Sequence, residues 1–173
     1  LSSMVAALTH EKKGMLDIKP EMDEIGVEAQ ELKDRLAFLV DEDTEAFNQV
    51  MEANRFPEND EKEKKVKEKA VDTANKYAID IPMETAEKCF RVIELTNTLV
   101  EKGNPNSVSD AGVAAEVALA GVRGGCMNVL INLNGIDDQE YRNKKRNAVE
   151  TLIKKAESLH QTVFNKTMKR IDD

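Results

Sequence analysis

Tryptophan is absent from this chain of 173 residues, and glycine (8), proline (4), cysteine (2) and histidine (2) are scarce. Each shortage removes a class of protein. Cys89 and Cys126 form no CxxC pair, so a zinc ribbon or a dithiol redox centre has no ligand set, and two buried, reduced thiols are expected instead of a disulfide. His10 and His160 stand alone, each near a helix end or on a polar face, with no cluster from which to build a metal site; no metal and no permanently bound cofactor are expected. There is no P-loop, GxGxxG, HExxH or GxSxG. Basic excess is missing too. The formal net charge of −8 argues against a nucleic-acid partner. Strand alternation and repeats of 20–50 residues are also lacking.

What is present is charge and helical periodicity. Asp, Glu, Lys and Arg make up 34% of the residues, the composition of long solvated helices. The expected fold is all-α, one domain over 1–173, a bundle of about five to six long helices. Leu1 to Leu8 reads as mid-helix sequence, so further residues are expected upstream. The first helix stops at Gly14, and a long one runs from Pro20 to Arg55-Phe56-Pro57. Asn59 or Asp60 caps a charged outer helix. Ile79-Asp80-Ile81-Pro82 reads as a break, with Pro82 opening a further helix to Lys102-Gly103. Ser107 followed by Asp110 has the form of a capping box. The helix behind it is rich in alanine and glycine up to Asn134-Gly135, and Asp137 or Asp138 caps the last helix.

The small-residue helix costs roughly 1 kcal/mol per glycine relative to alanine. Close approach of another backbone, or of a flat ligand, would offset that cost. Glu116, Arg123, Asn128 and Asn132 within or near the run argue against a membrane span, and the helix reads as the central, most buried one.

One acid is out of place. Ile25, Ala29, Leu32, Leu36, Leu39 and Val40, then Phe47 and Val50, recur at steps of three and four. The same steps put Asp43 on that stripe. A carboxylate there is either held in a partly desolvated site that raises its pKa toward neutrality, or the stripe ends at Val40 and Asp43 sits at a bend. Asn104, Asn106, Ser107 and Ser109 surround a helix start whose free N–H groups could hold an anionic or carbonyl group, although such residues also simply make turns. Arg123 pairs with a core acid such as Asp43 or Asp110, or grips an acidic ligand. Asn128 and Asn132 lie one turn apart, where inter-helix hydrogen bonds are the ordinary role.

Two stretches carry a resemblance. Leu39-Val-Asp-Glu-Asp-Thr-Glu-Ala-Phe-Asn48 with Met51-Glu-Ala-Asn-Arg-Phe-Pro57 is one. Gly103-Asn-Pro-Asn-Ser-Val-Ser-Asp-Ala-Gly-Val-Ala-Ala115 leading to Gly121-Val-Arg-Gly-Gly-Cys-Met-Asn-Val-Leu-Ile-Asn132 is the other. Together they resemble the formiminotransferase-cyclodeaminase family, in the same order and over nearly all the chain. The resemblance implies a cytoplasmic, homodimeric, all-helical enzyme of one-carbon metabolism and histidine degradation, with no membrane attachment. Its substrate would be a tetrahydrofolate derivative: 5-formiminotetrahydrofolate closed to 5,10-methenyltetrahydrofolate with loss of ammonia, or methenyltetrahydrofolate hydrolysed. It places the catalytic acid at Asp43. Asn106, Ser107, Asp110 and Asn128 are then expected at the substrate, and Arg123 or Arg55 at its glutamate tail. Two departures stand out: the family's Gly-Gly-Gly-Ser turn before the first helix is missing, and Cys126-Met127 occupy a place where relatives often carry an aromatic residue. A non-enzymatic helical interaction module is the third expectation.

Overall fold

The computed structural model describes residues 1–172, which form five α-helices: α1 (Ser2–His10), α2 (Lys19–Asn54), α3 (Glu61–Lys102), α4 (Val108–Asn132) and α5 (Gln139–Asp172). Short 3-10 turns precede α2 and α4 and follow α4. No strand occurs among the described residues. The all-α bundle expected from periodicity is therefore the fold.

The core lies where α1, α2, α3, α4 and α5 share an apolar face. Val5, Met22, Ile79, Ile93, Leu99, Val122, Val129 and Val149 are almost completely buried there. Local chemistry sets the helix ends. Gly14 takes a φ of +92° at the turn after α1, a conformation glycine adopts without penalty. Asp60 caps α3 by accepting from the Lys62 and Glu63 amides, and Asp138 accepts from the Tyr141 amide at the start of α5. The Ser107 capping box does not form. Ser107 is buried and its side chain makes no cap hydrogen bond; Asn104 caps the preceding turn instead, accepting from the Asn106 amide.

The expected break at 79–82 is also absent. Pro82 sits inside one 42-residue helix. A proline there has no N–H to give the carbonyl four residues back, here Ala78. The side-chain amide of Asn132 supplies the missing donor, 2.7 Å from the Ala78 oxygen. A tertiary contact has thus replaced the hydrogen bond whose loss would otherwise end the helix.

The glycines of α4 explain how that contact arises. A Cβ on Gly125 would lie 2.6 Å from the Pro82 carbonyl oxygen, and one on Gly121 would lie 2.5 Å from the Cys89 sulfur. These two positions let α4 press directly onto α3. Yet α4 is not enclosed on all sides. Val113, Val117, Ala120, Gly124, Met127 and Ile131 are exposed along one face. The segment Pro105–Gly135 is long and apolar enough to cross a membrane by length and composition, but its other faces are packed inside the bundle.

Candidate active site

α2 buries Leu39, Ala46 and Ala53 against α3, with Leu36 partly buried beside them. Asp43 follows the same three-four spacing but is exposed. Val40 and Phe47, expected on the inner face, point to solvent at 67% and 63% exposure. The buried line of α2 instead runs through Leu32, Leu39, Ala46 and Ala53 at steps of seven, and Val40, Asp43 and Phe47 lie along its exposed edge. Here α2 is backed only by a small cluster of Leu39, Ala46 and Ile81. The strongly desolvated carboxylate expected from periodicity is not found; Asp43 stands in the wall of a cleft instead.

Two adjoining hollows share this acid. One, of 360 Å³, lies between Asp43, Phe47 and Val50 of α2, Asn75 and Ala78 of α3, and Asn128 and Asn132 of α4. The other, of 300 Å³, is lined by Leu39, Val40, Asp43, Thr44, Pro82, Thr85, Gly125 and Asn128. Asp43 and Asn128 belong to both. Each volume is at the lower end of the range for small-molecule sites. The floor is rigid for reasons already visible in the packing. Gly125 seats α4 on Pro82, Asn132 is tied to Ala78, and the Asn75 amide donates to the Gly135 carbonyl at 2.8 Å.

On the α2 side, Arg35 clamps the helix pair. Its Nε and Nη2 reach the two carboxylate oxygens of Glu84, each at 2.7 Å, and Nη2 lies 2.8 Å from Glu42 Oε2. The guanidinium holds the Glu84 carboxyl below its usual range. Asp43, next in the chain to Glu42, makes no ion pair among the described residues. It thus presents a carboxylate not already engaged by a cation, in two hollows that Asn128 also lines. An acid that can accept and return a proton, beside amides that can orient a ligand, is a general acid–base arrangement.

A larger hollow of 550 Å³ lies along α2 and α3. Most of its charges are paired: Arg91 with Glu28 and Glu94, Lys145 with Asp80, and Glu84 with Arg35, while Glu87 and Lys88 enter no ion pair among the described residues. No carboxamide lines it, whereas the smaller cleft sets Asp43 among Asn75, Asn128 and Asn132, so chemistry favours the smaller cleft. No group of three His, Cys, Asp or Glu side chains is placed to hold a metal ion among the described residues.

The other expected site residues are dispersed. Asn106, Ser107 and Asp110 stand at the opposite end of α4. Asp110 is eighteen residues from Asn128, about 27 Å along the helix axis. Arg123 pairs with neither Asp43 nor Asp110; its guanidinium meets Glu157 Oε1 at 2.7 Å on the α5 side. Arg55 follows the last residue of α2, about 18 Å along the axis from Asp43, and is exposed. Only Asp43 and Asn128 are brought together. Sequence reasoning missed Asn75, Thr85 and Phe47. Asn75 and Thr85 lie on either side of the proline that reads as a helix break, which assigned them to two separate helices. Phe47 was assigned to the core.

The fold and cleft define a class: an all-helical bundle whose candidate chemistry rests on one carboxylate and several carboxamides between its second, third and fourth helices. Comparison with known proteins supplies the family. Residues 1–151 match the formiminotransferase-cyclodeaminase family, and the chain belongs to it. It is 32% identical to the methenyltetrahydrofolate cyclohydrolase of Methylorubrum extorquens over 99% of this chain and 83% of that protein. It is 28% identical to the formimidoyltransferase-cyclodeaminase of Rattus norvegicus over 91% of this chain, which is 29% of the rat protein. The crystal structure of formiminotetrahydrofolate cyclodeaminase from Thermotoga maritima superposes with a TM-score of 0.77 at 29% identity, over 99% of this chain and 79% of that one.

Proposed function

We propose that the protein carries out one-carbon chemistry on a tetrahydrofolate at the Asp43 cleft, as a formimidoyltetrahydrofolate cyclodeaminase. The observation that carries this reading is the unpaired carboxylate of Asp43 in hollows that Asn128 also lines, both residues within the motifs that resemble the family. In the proposed reaction, N10 of the folate attacks the formimino carbon attached to N5, and a five-membered ring closes around a tetrahedral carbon. The carboxylate of Asp43 takes the N10 proton and returns it to the exocyclic nitrogen. The C–N bond to that nitrogen then breaks, and ammonia leaves the 5,10-methenyl product. Both nitrogens belong to one ligand, so positioning supplies much of the rate. Asn128 and Asn75 would hold the pterin or the formimino group, and the rigid α3–α4 contact would keep them in place.

A second reading has its own support. The Methylorubrum extorquens relative is named a methenyltetrahydrofolate cyclohydrolase, and the match to it is the more identical and covers most of both chains. In that reaction water adds to the methenyl carbon as Asp43 accepts one of its protons; a ring C–N bond then breaks, the freed nitrogen takes up a proton, and the formyl product leaves with one net proton released to solvent. Purified protein supplied separately with each folate distinguishes the two. Ammonia release from the formimino substrate supports the deaminase. Accelerated loss of the methenyl compound without any ammonia-forming activity supports the hydrolase. Inactivity toward both removes the folate reading.

A further inference from the structure

Two carboxamides in the 360 Å³ hollow have their polarity fixed by the fold. The side-chain nitrogen of Asn132 donates to the Ala78 carbonyl at 2.7 Å, and that of Asn75 donates to the Gly135 carbonyl at 2.8 Å. A carbonyl oxygen only accepts, so each amide must turn its nitrogen toward the backbone. For Asn132 the constraint is doubled. Pro82 has no N–H to give Ala78, and a reversed amide would set two oxygens against each other with no proton between them.

Each nitrogen is thus committed to the backbone, and each oxygen is the free end. No donor meets Asn75 Oδ1 or Asn132 Oδ1 among the described residues. Both side chains are half-buried and line the hollow, so these acceptors stand where a ligand can reach them. The tethers run in opposite directions, one from α4 to α3 and the other from α3 to the turn after α4. Their footings on α3, Asn75 and Ala78, are one turn apart, about 4.5 Å along the axis. Acceptors held in this way need little reordering when a ligand arrives.

The remaining lining narrows the kind of ligand. Among the described residues no lysine or arginine lines this hollow, so it is not built for an anion. Phe47, at 63% exposure, offers a ring face on which a flat heterocycle can stack. Asp43 and Asn128 also line the neighbouring hollow, whereas Asn75 and Asn132 line only this one. A bicyclic ligand whose reacting atoms lie at Asp43 therefore meets Asn75 and Asn132 with its far edge. In a pterin, the edge on the other ring from N5 carries two adjacent donors, the 2-amino group and N3–H.

Resting on the folate reading of the Asp43 cleft, we propose that Asn75 and Asn132 are specificity-determining residues whose carboxamide oxygens accept from the 2-amino group and N3–H of the pterin. That seats the aminopyrimidine ring in the first hollow and turns N5 and N10 toward Asp43, where the two hollows meet. A site built to receive a donor rejects an analogue that lacks it, because the acceptor is left unpaired. Here the hollow is open to water, so the discrimination is far smaller than the 10⁴-fold of a sealed site.

The test compares two ligands on the intact protein by titration calorimetry. One is 5-formyltetrahydrofolate, which carries an oxygen where the formimino substrate has NH; the other is its 2-deamino counterpart. The parent should bind the first at least about tenfold more tightly. Asn75→Leu and Asn132→Leu, checked for folding by circular dichroism, should each weaken 5-formyltetrahydrofolate and leave the 2-deamino form nearly unchanged, so the preference shrinks at least about threefold. A purely structural role would weaken both ligands alike and leave the preference intact. Equal affinity of the parent for the two ligands, which needs no variant to detect, overturns the proposal and leaves the folate reading standing. So does a full preference retained in both variants. A parent chain that binds neither ligand and turns over no folate overturns the folate reading, and the proposal with it.

Discussion

At the scale of single residues, burial separates groups that react from groups that only fill space. Cys89 and Cys126 are free thiols inside the bundle. Burial pushes the Cys126 thiol up to about 11, and raises that of Cys89 above its ordinary value of 9.0. Both are therefore protonated and inaccessible at pH 8. Iodoacetamide should label neither in the native protein and both after unfolding, as counted by intact-mass measurement; rapid native labelling of either would place that thiol outside the core. Asp43 contrasts with them. It is exposed in the cleft wall, so Asp43→Asn should leave stability within about 0.5 kcal/mol of the parent. Spacing alone located this residue on the α2 stripe. Its exposure was not legible, because the three-four spacing does not mark where the buried face of α2 ends and its exposed edge begins.

At the scale of elements, α3 and α4 act as one unit. A proline in mid-helix and glycines in the facing helix are each unfavourable alone. Together they create the close contact in which Asn132 caps the Ala78 carbonyl. Asn132→Leu would leave that carbonyl without its donor, at a cost of about 1–3 kcal/mol. Its unfolding midpoint should fall by roughly 2–10 °C for a chain of this size. An unchanged midpoint in differential scanning calorimetry would show that water satisfies the carbonyl equally well. The same contact explains what was and was not readable in the sequence. Most helix ends and the small-residue packing of α4 follow from local residue chemistry. The continuity of α3 through Pro82 does not, since its stabilising partner lies 54 residues away in the chain. The Ser107 and Asp110 pair failed similarly, because burial of Ser107 removed it from the capping role its spacing suggested.

At the scale of the whole molecule, ion pairs fasten the helices to one another. Arg91 holds Glu28, Arg35 holds Glu84, and Lys166 holds Glu101, each acid lying below the ordinary value of 4.5. A lowered carboxyl contributes stability above its unfolded pKa and loses it as pH falls through the folded one. The melting midpoint should hold steady from pH 7 to about 5 and then drop below pH 4.5. The drop should be modest because these pairs are partly exposed. A midpoint still flat at pH 3 would mean the pairs contribute nothing.

The central claim is that this bundle uses one carboxylate in the α2–α4 cleft to move a proton during folate chemistry. General acid–base groups contribute about 10²- to 10⁴-fold to rate. The direct measurement is turnover of 5-formiminotetrahydrofolate and of methenyltetrahydrofolate by the parent chain and by Asp43→Asn, with folding checked by circular dichroism. The account predicts a folded variant slowed by at least about a hundredfold on whichever folate the parent converts. A folded Asp43→Asn protein as fast as the parent would contradict it.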